Sequence, residues 1–212
     1  MRALVAGILM AVVFGAEARI WTSSEGKTVE AELVRVEYGN AYLRPAGKTK
    51  LYPFLITNLS SEDQDYIEQF LKDEEDRLKE RRKEQRKLKW HTDFPQAQAE
   101  AKELEMPILF LYTAPEWCGW CRVLDNNILE TAEFKKYAKH NLVYYVADFS
   151  DRAEGEQWKK DNPKLYKKFP GKSFPCTYLI SAEGKRLGRI GGCEKEWRPS
   201  DFIAKLEKFK KK

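Results

Sequence analysis

Two cysteines three positions apart, in the Trp-Cys-Gly-Trp-Cys sequence at 117–121, constrain this chain more than any other feature. The preceding apolar run at 108–112 is typical of a buried strand, and 122–129 has the apolar spacing of a helix. Cys118 is therefore predicted at a helix N-terminus, where free N–H groups and the helix dipole favour a thiolate. Cys121 follows one turn later on the same side. This arrangement predicts thiol–disulfide exchange.

The pair is less consistent with a zinc site or with an inert structural disulfide. Zinc needs four ligands, usually including a second Cys-x-x-Cys or a pair of histidines. The other two cysteines, Cys176 and Cys193, are 17 positions apart, and His91 and His140 lack ligand spacing. The strand–CxxC–helix context is more specific than the motif alone, which favours a redox pair over an inert disulfide. The sequence therefore predicts no metal and no cofactor.

The N-terminus has the three parts of a signal peptide. Arg2 provides the positive charge, residues 3–14 are apolar, and Ala-Glu-Ala at 16–18 fits a small-x-small cleavage site. The apolar run is shorter than the roughly 20 residues that a membrane-spanning helix needs. We therefore predict a signal peptide over 1–18, no stable membrane anchor, and a mature protein that is exported, periplasmic or secreted, into an oxidising compartment.

The charge balance argues against nucleic acid as a partner. The 38 basic residues are offset by 33 acidic residues, which leaves a formal net charge of +5. Charges of both signs are interleaved along the chain, as is typical of a solvated surface. The one basic run, at 210–212, lies at the C-terminus. We predict no nucleic-acid binding.

Residues 19–71 are predicted to form a small SH3-like β-barrel. Four or five short runs with strand character are separated by turns, such as Tyr-Gly-Asn at 38–40 and Pro-Ala-Gly at 45–47. Ser-Ser-Glu-Asp at 60–63 predicts that a helix begins near residue 61.

This segment resembles the first Sla-homology domain over about 19–70. The resemblance lies in Arg-x-Trp-Thr at 19–22, Gly-x-x-Val-x-Ala at 26–31 and Leu-Ser-x-Glu-Asp-x-x-Tyr-Ile at 59–67. It implies a small adaptor module that binds a peptide or protein ligand. The alternative is a barrel that only positions the second domain.

Residues 72–89 are predicted to be a charged helical linker. Only Leu78 and Leu88 are aliphatic in this stretch, and acids precede bases in i,i+4 pairs such as Asp73 with Arg77. A fully helical linker would span about 27 Å. A coiled-coil dimer is the weaker alternative, because the stretch lacks a heptad stripe of apolar residues.

Residues 90–212 have the helix and strand order of an α/β sandwich. Strands are predicted at 108–112, 142–148, 176–180 and 186–191. Helices are predicted between the strands and at the C-terminus. A parallel half followed by an antiparallel half predicts a mixed sheet flanked by helices.

Together with Ser-Phe-Pro at 173–175, the cysteine motif makes residues 90–210 resemble the thioredoxin fold, and more closely exported thioredoxin-like proteins that carry Trp-Cys-Gly-Trp-Cys. The resemblance implies Cys118 as the nucleophile, Cys121 as the resolving thiol and Pro175 as a cis-proline that faces them. It also implies a substrate-binding surface, with the backbone of Phe174 presented to an extended substrate chain. That surface comprises Trp117, Gly119, Trp120, Phe174 and Pro175.

One position departs from the thioredoxin pattern. Thioredoxins carry a buried Asp six residues before the first cysteine, and here that position is Tyr112. The proton acceptor for the resolving thiol is therefore unassigned. Glu116 is a nearby candidate, which we expect to be exposed. The Gly-Trp pair between the cysteines also differs from Gly-Pro and from His-containing pairs, so it does not indicate the redox potential.

The second cysteine pair is predicted to form a disulfide. A hairpin turn at Gly184 places Cys176 and Cys193 at similar offsets from the turn, which predicts that they are near cross-strand neighbours. An exported compartment favours the bond. Two alternatives stay open: two buried small residues without a bond, and a second redox pair.

The leading functional hypothesis is an exported thiol–disulfide oxidoreductase. Its partners would be protein substrates with thiols or disulfides, and a redox partner protein would exchange electrons with it. Potentials of this fold span roughly −270 to −120 mV, so the direction of the reaction stays open. The alternative is a non-catalytic adaptor, in which the N-terminal barrel binds a ligand and the second domain recognises peptides without turnover.

Overall fold

A computed structural model describes residues 17–211 of the chain. The predicted signal peptide over 1–18 therefore lies almost entirely outside the described residues. The chain divides into two compact units between Lys79 and Glu80. Each unit has its own core and is described by itself. Within residues 17–211, no helix is both long and apolar enough to cross a membrane.

The first unit contains an antiparallel sheet of four strands in the order β1-β2-β3-β4. These are β1 (Arg19–Thr22), β2 (Thr28–Glu37), β3 (Asn40–Pro45) and β4 (Tyr52–Leu55), and helix α1 (Ser61–Gln85) follows. Alternate residues of β2 and β3 are buried on one face, where they pack with Trp21. The Trp21 indole N–H donates to the Ala31 carbonyl at 2.9 Å, so this buried nitrogen has a partner.

The predicted SH3-like barrel is not a closed barrel. Strands β1 and β4 are the two ends of the sheet order and do not pair with each other in the described part of the chain. The segment after β4 bonds to the end of β1 instead, because the Ser60 N–H donates to the Thr22 carbonyl at 2.8 Å. At the start of α1, the buried Asp63 accepts the Thr22 N–H at 2.6 Å and pairs with Arg19 at 2.9 Å. The unit is therefore an open four-stranded sheet.

The second unit contains a mixed sheet of five strands in the order β5-β7-β6-β8-β9. The strands are β5 (Trp90–His91), β6 (Ile108–Thr113), β7 (Val143–Asp148), β8 (Cys176–Ile180) and β9 (Arg186–Gly191). The α-helices are α2 (Phe94–Leu104), α3 (Gly119–Leu124), α4 (Ala132–Asn141), α5 (Arg152–Asp161), α6 (Pro163–Lys168) and α7 (Pro199–Lys210), and a π-helix (Asp125–Leu129) directly follows α3. Strands β5, β6 and β7 are parallel, and β8 and β9 add an antiparallel half. The predicted mixed sheet flanked by helices is confirmed.

The central strand β6 divides the core of this unit into two layers. Ile108, Phe110 and Tyr112 pack on one face together with both cysteines of the CxxC motif, and we call this the motif face. Leu109 and Leu111 pack on the opposite face, against α4 and α7. All residues of β6 are buried, as expected of a central strand covered on both faces. The strand therefore supplies a rigid support for the CxxC loop that follows it.

The end of α1 corrects the linker prediction. The helix ends at Gln85, so the helical linker predicted over 72–89 is wrong for its last four residues. Directly after the helix, the Arg86 guanidinium donates to the Leu142 carbonyl and lies 3.6 Å from a Glu100 carboxylate oxygen. These contacts anchor Arg86 within the second unit.

Candidate redox site

Cys118 lies at the start of α3, directly after the loop that leaves β6. It is the N-cap residue, with extended backbone angles of φ −99° and ψ 103°. Its sulfur accepts the Cys121 N–H at 3.2 Å. A sulfur in this position faces the free N–H groups of the helix, which stabilise a negative charge. Cys118 thus occupies the helix-terminal position expected from the sequence, while its role as nucleophile stays a prediction.

Burial distinguishes the two thiols. Cys118 is 8% exposed, whereas Cys121 is completely buried. Burial and the hydrogen bond with Cys118 raise the pKa of Cys121 to about 12, although the Ala114 backbone and the Thr113 side chain act in the lowering direction. Cys121 therefore carries its proton at neutral pH. Any reaction that needs its thiolate also needs a group that accepts this proton.

Two tryptophans form an exposed aromatic rim around the cysteines. Trp117 is 45% exposed and Trp120 is 51% exposed. The Trp117 indole N–H donates to the Phe149 carbonyl at 2.9 Å, and the Arg152 guanidinium lies 5.6 Å from its ring centroid. Gly119 has room for a side chain, since the nearest atom to an added Cβ would be 3.8 Å away. These contacts hold Trp117 in place, while both tryptophan rings stay partly exposed and accessible to a partner.

Phe174 and Pro175 come directly before β8 and are joined by a cis peptide bond, as the resemblance implies. The Pro175 carbonyl accepts the Gly192 N–H at 2.8 Å. The Phe174 ring lies 5.3 Å from the Trp117 ring and 5.3 Å from the Phe149 ring. The structure therefore places Phe174 beside the aromatic rim. Substrate binding by these residues stays a prediction.

Tyr112 occupies the position where thioredoxins carry a buried Asp. Its ring is completely buried, and its hydroxyl donates to the Phe169 carbonyl at 2.7 Å. Burial raises the pKa of Tyr112 above its ordinary value, so the phenol stays neutral. A neutral phenol whose hydroxyl already donates a hydrogen bond to a carbonyl is a poor base. Tyr112 therefore fills this space without replacing the chemistry of the carboxylate.

Sequence reasoning missed two polar residues near Cys121. Asp125 lies one helical turn after Cys121, and its pKa is raised to about 6 by burial and by the charges of Glu130 and Asp148. Thr113 ends β6, is 6% exposed, and its hydroxyl has no hydrogen-bond partner. The i,i+4 spacing of Cys121 and Asp125 was a usable signal. The burial of both residues was not visible in the sequence.

Cys176 and Cys193 are free thiols. Cys176 opposes Gly191 across the β8–β9 ladder and packs on the motif face, whereas Cys193 packs against the core of the opposite face. The ladder shifts register between Leu179 and Ile180, and the chain turns after β9 at Gly192, which has φ +77°. The cross-strand argument for a Cys176–Cys193 disulfide is therefore wrong.

We expect peptide mapping of the non-reduced protein to recover Cys176 and Cys193 as free thiols. Their side chains belong to cores on different faces of the sheet, and a disulfide requires Cβ atoms about 3.5–4.5 Å apart. The measurement is alkylation in denaturant followed by mass spectrometry, with a reduced sample as the control. A linked 176–193 peptide in the non-reduced sample would contradict the observed register.

No group of three or more His, Cys, Asp or Glu side chains is arranged to hold a metal ion within residues 17–211. Cys118 and Cys121 are therefore two thiols without further ligands of these types arranged around them. Such a pair can form a disulfide, and one thiol is more exposed than the other.

Comparisons with known proteins agree with this geometry. The chain is 31% identical over 105 residues to "Disulfide bond reductase DsbH" of Chlamydia pneumoniae, which covers 49% of this chain and 63% of the relative. It is also 31% identical over 103 residues to "Thioredoxin-related protein DsbJ" of the same organism, which covers 48% of this chain and 30% of the relative. The chain thus spans less than two thirds of the length of either relative.

A solved structure described as "DsbH Oxidoreductase" has a TM-score of 0.51 and 28% identity, and the match covers 59% of this chain and 86% of that one. The family model for the thioredoxin-like domain matches residues 94–210, which is more than half of the 212-residue chain. The match includes β6, the CxxC loop, α3 and the cis-proline. The chain therefore belongs to the thioredoxin-like family.

Proposed function

We propose that this protein is a thiol–disulfide oxidoreductase that acts on protein disulfides, with Cys118 as the nucleophile and Cys121 as the resolving thiol. The observation that carries the proposal is the position of Cys118 at the N-terminus of α3, where its sulfur accepts the Cys121 N–H. This position stabilises a thiolate, which is the reactive form of cysteine. The more buried Cys121 then acts second.

The reaction has two steps in which atoms and electrons balance. The Cys118 thiolate attacks one sulfur of a substrate disulfide, forms a mixed disulfide, and releases the other substrate sulfur as a thiolate. Cys121 then loses its proton and attacks the Cys118 sulfur. The Cys118–Cys121 disulfide forms, the mixed disulfide breaks, and the second substrate thiolate leaves. Two electrons pass from the protein to the substrate, and a redox partner protein returns them.

The exposed aromatic rim favours the hypothesis that the substrate is a protein and not a small thiol compound. Trp117 and Trp120 offer apolar area at low conformational cost, and the Phe174 ring extends the same surface. Phe174 and Pro175 lie directly before β8, where an extended substrate segment could bond to the Phe174 backbone. The name of the DsbH relative, a disulfide bond reductase, supports reduction as the direction.

Insulin reduction with dithiothreitol as the electron donor tests the proposal. The wild-type protein is expected to accelerate precipitation of the insulin B chain well above the rate with dithiothreitol alone. Cys193→Ser serves as the matched control, because this cysteine packs against the opposite core, and we expect it to keep full activity. A wild-type protein that does not exceed the dithiothreitol rate would refute the function.

The N-terminal part of the proposal concerns export and the first unit. We propose that a signal peptide over 1–18 directs export. We also propose that the open sheet, which resembles Sla-homology domains, is an accessory module, and that a linker and the redox domain follow it. A pocket of about 180 Å³ beside Trp21, Val29 and Phe54 is one place for an apolar side chain of a ligand. N-terminal sequencing of exported protein tests cleavage after Ala18.

A further inference from the structure

The proposed reaction needs an acceptor for the Cys121 proton. Cys121 is completely buried, and burial raises its pKa to about 12. Tyr112 is excluded as the acceptor because its hydroxyl donates to the Phe169 carbonyl. Glu116, the candidate from the sequence, is exposed to solvent, and its backbone nitrogen lies 3.5 Å from the Ser150 hydroxyl oxygen.

Asp125 is the carboxylate one helical turn after Cys121. Its N–H donates to both the Arg122 and the Cys121 carbonyls, so a helical turn joins Cys121 to Asp125 and their side chains share a helix face. The carboxylate is partly buried and has no ion pair or hydrogen bond in the described part of the chain. A carboxylate with both oxygens unengaged is free to take a proton.

Thr113 places a hydroxyl without a hydrogen-bond partner near Cys121. It is 6% exposed, and its Oγ1 atom has no hydrogen-bond partner. The Thr113 hydroxyl lies close enough to the Cys121 sulfur to lower the pKa of that thiol, although no well-formed hydrogen bond joins the two groups. Thr113 also pairs with Asp148 across the parallel β6–β7 ladder, and the Asp148 charge acts on Asp125. These residues therefore form one cluster.

We propose that Asp125 accepts the proton of Cys121, directly or through one water molecule, when Cys121 attacks the mixed disulfide, and that the Thr113 hydroxyl then donates to the Cys121 thiolate. This inference rests on the proposed function and completes its second step. The S–H bond of Cys121 breaks, an O–H bond forms on Asp125, and the Cys118–Cys121 bond replaces the bond from Cys118 to the substrate. The proton then passes to the departing substrate thiolate or to solvent.

Burial and the charges around Asp125 determine the pH range in which it can accept a proton. Burial acts first, and Glu130 and Asp148 then add negative charge, which raises the pKa of Asp125 to about 6. Asp125 is therefore a stronger base than an ordinary aspartate, and it is ionised at neutral pH. Below about pH 6 it holds a proton and cannot accept another. The rate of the second step should therefore rise as pH increases through about 6.

A two-phase thiol assay separates the steps. With reduced protein in excess over 5,5′-dithiobis(2-nitrobenzoate), the first release of thionitrobenzoate reports attack by Cys118, and the second reports resolution by Cys121. In Asp125→Asn we expect the second phase to slow by about 100-fold at pH 8 and to lose its inflection near pH 6. The first phase should be unchanged. Cys121→Ser, which should lack the second phase, identifies that phase.

Two matched variants test the mechanism. Asp148→Asn removes a neighbouring charge and keeps an oxygen for the Ser150 N–H, so we expect the inflection to move to lower pH while the second phase persists. Thr113→Val removes the hydroxyl at nearly constant volume, and we expect the second phase to slow by about 10-fold.

Asp125→Asn should fold, because burial disfavours the Asp125 charge in the native state, and its thermal midpoint at pH 7 should not decrease.

The outcomes distinguish the inference from the function on which it rests. An Asp125→Asn protein whose second phase keeps the wild-type rate and the inflection near pH 6 overturns the role of Asp125 while insulin reduction stands. A wild-type protein with neither a second phase nor insulin reduction overturns the function, and the role of Asp125 with it. Loss of the inflection in Asp125→Asn, together with its shift to lower pH in Asp148→Asn, supports the inference.

Discussion

Cys118→Ser is expected to slow insulin reduction by about a thousandfold or more, to the rate of dithiothreitol alone. Serine has nearly the same shape but its hydroxyl does not ionise near neutral pH, so no nucleophile remains at the start of α3. Cys121 cannot substitute for it, because it is completely buried and its pKa is raised to about 12. The measurement is the rate of B-chain precipitation with wild type and variant at equal concentration.

The second cysteine gives the matching control. Cys121→Ser should keep the first attack but fail to resolve it, so a covalent complex between Cys118 and a substrate cysteine should accumulate and be visible by mass spectrometry. Iodoacetamide should label Cys118 before Cys121 in the reduced wild type, because Cys118 is the more exposed thiol at a helix N-terminus. Prior labelling of Cys121, or adducts at that residue in Cys118→Ser, would reverse the assigned roles.

The features that could be predicted from the sequence are those whose chemistry is local. The apolar run of β6, the two cysteines after it and the apolar spacing of α3 lie within about twenty consecutive residues, so strand, loop and helix follow from pattern alone. The cis bond before Pro175 was implied by the resemblance to the thioredoxin fold and not by the local pattern. The mixed sheet then follows from the order of the elements.

The features that could not be predicted depend on register and on burial. The expected pairing of Cys193 depends on counting from a turn at Gly184, but Cys176 opposes Gly191, so Cys193 lies two positions beyond that partner and past the turn at Gly192. A closed barrel would need β4 to pair with β1. The loop at Ser60 bonds to the end of β1 instead, so the first sheet stays open. Neither the exact register of a ladder nor the segment that covers a sheet edge follows from the apolar pattern of single strands.

The proposed base illustrates the same limit. Asp125 reads in the sequence as an ordinary polar residue after an apolar pair, and Thr113 reads as the polar end of a strand. Their interest arises only in three dimensions, where Thr113 has a buried hydroxyl without a partner and Asp125 lies near the charges of Glu130 and Asp148. The departure at Tyr112 was visible in the sequence, but the replacement for the missing carboxylate was not.

Phe110→Ala is expected to lower the free energy of unfolding of the second unit by about 3–5 kcal/mol. Phe110 is completely buried at the centre of β6 and contacts rings from several elements of the motif face. Its ring centroid lies 4.5 Å from that of Tyr112, 4.8 Å from Tyr145, 6.1 Å from Trp158, 6.2 Å from Phe169 and Tyr178, and 6.4 Å from Phe94. Truncation leaves a cavity that these rings cannot fill without leaving their own contacts.

The measurement must report on the second unit alone, since a chain with two units need not unfold in one transition. Cys176 provides the probe, because it is completely buried in the same core and becomes accessible to alkylation only when that core opens. The guanidinium midpoint for its labelling should fall in Phe110→Ala. The midpoint of Phe110→Leu, which removes less volume, should lie between the midpoints of Phe110→Ala and the wild type. Equal midpoints for all three proteins would show that the motif-face core is not the main source of stability in this unit.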